Sequence, residues 1–186
     1  MRSALQLVRN QPRMIGLSLL ESAAFALTNA IFWYNQPYFT RSGIAVAWFG
    51  PITGAAVGLG MIIVLATPAA RRRLGTYGAL ALSCIIPGLG FIALARNSSP
   101  LLTALFVALV AAGSAWRQPI ISDELNRRMK DGSRATTLSV LSFIGTIAGI
   151  TLNPLIGLAG DLGLGITGMS LGFCLILLGF VARGLV

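Results

Sequence analysis

The chain has 186 residues, 55% of them hydrophobic and 10% charged, with a mean hydropathy of +0.82. A soluble domain carries about 25% charged residues, so a water-soluble globule is excluded and a bilayer is the expected solvent. Fourteen Lys+Arg against five Asp+Glu give a net charge of +9, and there is no histidine. This removes serine–histidine triads, histidine metal sites and histidine proton relays.

Six apolar runs are long enough to cross a membrane, which takes roughly 20 residues. The first, about 14–35, is too long for the apolar core of a signal peptide and contains Glu21. It is read as a span. At 100° per residue its Ser18, Glu21, Ser22, Thr28, Asn29, Asn35 and Gln36 share an arc of roughly 140°. The second run, about 45–67, carries Gly50, Gly54, Gly58 and Gly60, a small-residue ridge that permits close helix approach. The third, about 76–95, is nearly featureless.

The fourth run, about 100–123, places Thr103, Ser114 and Arg117 within about 60°, with Gln118 beside them. The fifth, about 135–160, is again glycine-rich, with Gly145, Gly149 and Gly157, and Pro154 as a kink point. Ser133 is placed to cap its start. The sixth, about 165–183, is as featureless as the third, and these two have the best claim to face lipid. Gly160, Asp161 and Gly163 suit a tight turn between the last two. Cys84 and Cys174 lie inside apolar runs and are expected as packing residues, with no disulfide.

Six spans put both termini on one side. That side collects Arg2, Arg9, Arg13, Arg71, Arg72, Arg73, Arg127, Arg128, Lys130, Arg134 and Arg183, against Arg41 and Arg96 on the other. The positive-inside bias makes both termini cytoplasmic. The basic clusters sit at span ends and are not interleaved with aromatics, so nucleic acid is not an expected partner; anionic headgroups are.

Intramembrane charge is expensive and faces protein or a water-filled cavity. Arg117 binds an anionic group, pairs with Glu21, or snorkels to the surface past Glu124. Glu21 couples to protons, which would need a raised pKa, or is an interfacial carboxylate near Arg13. The order polar, glycine-rich, featureless occurs twice, which predicts a 3+3 inverted repeat. The expected fold is all-α: one six-helix transmembrane domain over 1–186.

WYNQPYFTRSGI leading into AWFGPITGAAVG, then LNRRM with SRATTLSVLSFIG, then NPLIGLAGDLGLG, together with the 3+3 order, carry a resemblance. Over nearly its whole length the chain resembles the C-terminal half of a major facilitator superfamily transporter, and the Asn-to-Ser passage resembles bacterial members. The resemblance implies a secondary transporter in a bacterial inner membrane, working by alternating access. It implies a substrate cavity lined by the first and fourth spans, for which Glu21, Thr28, Asn29, Ser114, Arg117 and Gln118 are the candidates. It also implies contact with a second half through Gly50, Gly54, Gly58, Gly145, Gly149, Pro154 and Gly157. The family pattern G-x-x-x-D-R-x-G-R is met here by TPAARRRLGTYG, which lacks the aspartate. Six spans in place of twelve imply a fragment, a split subunit or a half that pairs with itself.

The expected partners are therefore the lipid bilayer, a complementary six-helix half or a second copy, and a small-molecule substrate. No cofactor and no metal is expected. The alternative is a non-transporting scaffold, a regulatory subunit or a degenerate transporter remnant. An intramembrane serine protease lacks its histidine here, and no GxxxxGK[ST] phosphate loop occurs, so an enzyme is not expected.

Overall fold

A computed structural model describes residues 12–129 and 134–185. Ser133, with its expected capping role, lies outside the described residues, as do Arg2, Arg9 and Lys130. Among the described residues there are helices and no strand. They are α1 (Pro12–Asn29), α2 (Ile31–Arg41), a 3-10 turn (Val46–Trp48), α3 (Phe49–Leu65), α4 (Thr67–Arg96), α5 (Pro100–Gly113), α6 (Arg117–Arg128), α7 (Arg134–Asp161), α8 (Leu164–Val181) and a closing 3-10 turn (Ala182–Gly184). They make six helices long and apolar enough to cross a membrane, with α1–α2 forming the first and α5–α6 the fourth. The chain is an integral membrane protein in form, with a backbone that satisfies its own hydrogen bonds as lipid requires.

Two spans expected as continuous helices are interrupted. In the first, the Ala30 carbonyl accepts from both Trp33 N and Tyr34 N, each at 3.0 Å. Just before it, the Thr28 hydroxyl donates to the Ala24 carbonyl at 2.7 Å, a back-bond that bends helices. In the fourth, Ser114–Trp116 tightens to i→i−3 bonding, with Ala115 N on Ala112 O and Arg117 N on Ser114 O. Pro119 explains this: it has no N–H for the Ala115 carbonyl, and its ring crowds that carbonyl.

A third departure lies before the third span. The RRR segment is itself helical from Thr67, and the chain turns into the span at Gly75, with φ 71° and ψ 172°. That combination is open only to glycine. A Cβ at Gly75 would meet nothing within 4 Å, so the requirement is one of backbone conformation, not space. Gly163, at φ 104°, makes the expected turn between α7 and α8.

The third span packs along the sixth and also against the fourth, the first along the fifth, and the second along the fourth. The featureless third span is not the lipid-facing helix expected from its composition. It is the most enclosed, with 61% of its apolar stretch buried against 11% in the second span and 17% in the fifth. Glycines explain the enclosure. A Cβ at Gly88 would lie 2.8 Å from the Gly172 carbonyl, and one at Gly168 would lie 2.8 Å from the Phe91 carbonyl. Removing side chains at these crossings lets backbones touch, which supplies packing where lipid gives no hydrophobic drive.

The second span's ridge does the opposite. Cβ atoms at Gly50, Gly54 and Gly58 would meet nothing within 4 Å, and the same holds for Gly149 and Gly157 in the fifth span. Of these two helices, Gly60, Gly145 and Gly160 sit against other spans, at Ala112–Ala115, at Ser22 and at Tyr34. The fifth helix runs through Pro154 to Asp161.

Arg41 closes one end of the bundle. Its guanidinium donates to the carbonyls of Leu94, Ala95 and Asn97, the last at 2.9 Å. These carbonyls end α4 and lack intrahelical donors. At the other end, Arg71 pairs with Asp123 and reaches Glu124 at 3.6 Å. The i,i+4 pairs Asp123–Arg127 at 3.2 Å and Glu124–Arg128 at 2.6 Å extend α6. The RRR segment thus finds its acidic partners on the fourth span. Because the Arg71–Asp123 pair is partly exposed, Arg71→Ala is expected to lower stability by at most about 1 kcal/mol. Denaturant unfolding in micelles should show the loss shrinking at high salt; a salt-independent loss would mean that Arg71 acts by packing.

Candidate functional site

Two apolar clusters fill the bundle. One includes Ala24, Ile31, Phe39, Cys84, Phe91, Val110 and Leu175; the other includes Met14, Leu17, Leu20, Leu80, Ile120 and Leu141. On the first, third and fourth spans a polar group falls between them: Glu21 between Leu20 and Ala24, Ser83 between Leu80 and Cys84, Arg117 between Val110 and Ile120. A polar layer therefore separates two apolar plugs.

Arg117 lies in this layer with its side chain 2% exposed. Its Nε donates to Glu21 Oε2 at 2.9 Å, its Nη2 to Thr28 Oγ1 at 3.2 Å, and its Nη1 to the Ser83 carbonyl at 3.4 Å. Of the readings left open by the sequence, the structure has the pairing with Glu21; Arg117 does not snorkel. The α5–α6 interruption starts a new helix at Arg117, and so sets the angle at which this side chain enters the bundle. The Thr28 hydroxyl serves twice, bending α1 as donor and holding Arg117 as acceptor.

Glu21 is 21% exposed and borders two cavities. The smaller, 180 Å³, lies between the first and fourth spans and is lined by Thr28, Asn29, Ser114, Arg117 and Gln118 among others. The larger, 470 Å³, is a groove between the first and fifth spans, where Ser22 and Asn29 face Ser142, Thr146 and Asn153. Glu21, Phe25 and Asn29 line both, so the cavities share a wall.

All six candidate cavity residues thus line the smaller cavity, although Gln118 is exposed and bonds Ser122 at 3.1 Å. Ser18, from the same polar arc, is turned to the fifth span instead, where it donates to the Leu141 carbonyl at 2.9 Å. Asn35 donates to Thr53 at 3.1 Å. The fifth-span residues Ser142, Thr146 and Asn153 were not anticipated. Their signal was present: with Gly149 they fall within about 60° of arc, a polar stripe on a helix read only for its glycines. Ser83 contributes through its carbonyl, which no residue identity could reveal. Among the described residues, no group of three or more His, Cys, Asp or Glu could hold a metal ion, and Cys84 and Cys174 are free.

No protein-family model, curated protein or solved structure matches the chain. The functional reading therefore rests on the residues themselves and on the resemblance described above.

Proposed function

We propose that the chain is one six-helix half of a secondary active transporter that moves a small solute by alternating access. The observation that carries this reading is the buried Arg117–Glu21 pair on the wall of two cavities, held between the first and fourth spans. Charge inside a membrane is retained where a pathway needs it.

The helix pairing supports a 3+3 repeat. Interchanging the first three spans with the last three carries the first–fifth pairing onto fourth–second and the third–sixth pairing onto itself; the third–fourth pairing goes onto the slighter first–sixth one. The bare glycine faces of the second and fifth spans suit a complementary half or a second copy of this chain. The charge bias of the connections supports an inner-membrane protein with cytoplasmic termini.

The test is access from both sides. Thr146→Cys, exposed on the groove, is introduced with Cys84→Ala and Cys174→Ser and expressed in sealed right-side-out and inside-out vesicles. A membrane-impermeant maleimide is expected to label it in both orientations, and the protein in detergent should have a mass above that of one 19.5 kDa chain. Labelling from one face only would refute alternating access. A monomer with one-faced labelling would leave the scaffold reading standing.

A further inference from the structure

Resting on the transporter reading, we infer that the Glu21 cavities take an organic cation: a protonated or quaternary amine, or its phosphonium equivalent, carrying an apolar body. The inference comes from how the ion pair is oriented. Among the described residues, Arg117 is the only cationic side chain lining either cavity, and its guanidinium is engaged by Glu21, Thr28 and Ser83. At 2% exposure it offers no open face to an anion.

Glu21 is the outward member of the pair. A carboxylate has about four lone-pair sites on two oxygens. Oε2 receives Arg117, while Oε1 accepts no hydrogen bond among the described residues. A ligand entering the groove therefore meets a carboxylate first, with the guanidinium behind it. In a low-dielectric setting this ordering favours a positive charge over a negative one. An anion would face Glu21 at close range with its counter-charge already committed.

The rest of the wall fits the same ligand. Phe25 is 58% exposed and lines both cavities, so its ring is free to meet a cation. Asn29, Asn153, Ser142 and Thr146 offer oxygen acceptors for N–H groups. The 470 Å³ of the groove lies in the range that holds ligands of drug size.

The experiment uses the full purified chain, in the assembly it forms in lipid nanodiscs, with radiolabelled tetraphenylphosphonium as probe. Saturable binding is expected, displaced by excess benzyltrimethylammonium and not by benzoate or glucose. Glu21→Gln should weaken binding about tenfold or more, the loss expected for an interaction with a charged group. Since Glu21→Gln strands Arg117, Glu21→Gln with Arg117→Gln removes both charges together and should lose binding equally. Phe25→Ala, at an exposed position, should weaken binding a few-fold.

Absence of saturable binding, displacement by benzoate or glucose, or undiminished affinity in a double variant that still elutes as the native assembly would each overturn the inference. Its failure is separable from that of the transporter reading. Two-faced thiol access without cation binding removes only the cation. Cation binding with one-faced access removes only alternating access.

Discussion

Arg117→Leu is expected to be the most damaging single substitution on the first, third and fourth spans, lowering stability by about 3–5 kcal/mol. The loss does not measure the strength of the ion pair. It measures what is left behind: a Glu21 carboxylate without its counter-ion, a Thr28 hydroxyl and a Ser83 carbonyl without their donor, all beside apolar packing. Because Glu21 keeps 21% exposure, groove water relieves part of the penalty, and the value should fall toward the lower end. Reversible unfolding in mixed micelles reads this directly. Arg117→Leu combined with Glu21→Leu should recover most of the loss, since replacing both members of a buried pair by apolar groups is often neutral. Arg117→Lys should be intermediate, because an ammonium is a point donor that does not span three acceptors in a fixed plane. Wild-type stability for Arg117→Leu would mean that the pair is not formed.

Gly172→Leu is the second large expectation, at about 3 kcal/mol, with even Gly172→Ala measurably destabilising. A Cβ at Gly172 would stand 2.6 Å from the Gly88 carbonyl and 2.5 Å from Ile92 Cγ1. Ile92 can shift, but the Gly88 carbonyl belongs to a helix backbone that can move only by parting the third and sixth spans. The contrast is Gly54→Ala, where the new methyl meets open space. It should leave the single chain as stable or slightly more so, because alanine is the better helix former. Under the two-half reading, the bulkier Gly54→Leu should instead reduce assembly mass in detergent without changing unfolding of the chain. If Gly54→Leu destabilised the chain itself while Gly172→Leu did not, the packing described here would be wrong.

That contrast shows what small-residue motifs say and leave out. Gly50-xxx-Gly54-xxx-Gly58 is the more regular motif, yet within the chain it touches nothing, while Gly88, Gly168 and Gly172 make the closest helix crossings. Spacing states that a helix can be approached closely; which helix approaches depends on where every other span has gone. The expected lipid exposure of the third span failed for a related reason. A helix buried among apolar helices and one facing acyl chains need the same residues, because lipid tails are as apolar as leucine. The interruption at Ser114–Trp116 was legible in part, since Pro119 demands one four residues back. The tightening at Ala30 was not, because it depends on a hydroxyl choosing a backbone partner.

By itself the sequence determined that there are six spans, roughly where they begin and end, and which of them carry polar groups into the membrane. Those properties are sums over about 20 neighbouring residues, and the cost of burying charge in lipid makes each one count locally. The tertiary structure decided that Arg117 meets Glu21 across 96 positions of chain, with Thr28 and the Ser83 carbonyl completing its partners. It also decided that the carboxylate faces the groove while the guanidinium does not, and that the fifth span supplies the opposite wall. These are matters of direction between helices, set by glycine contacts and helix breaks acting together, and no single stretch of chain contains them.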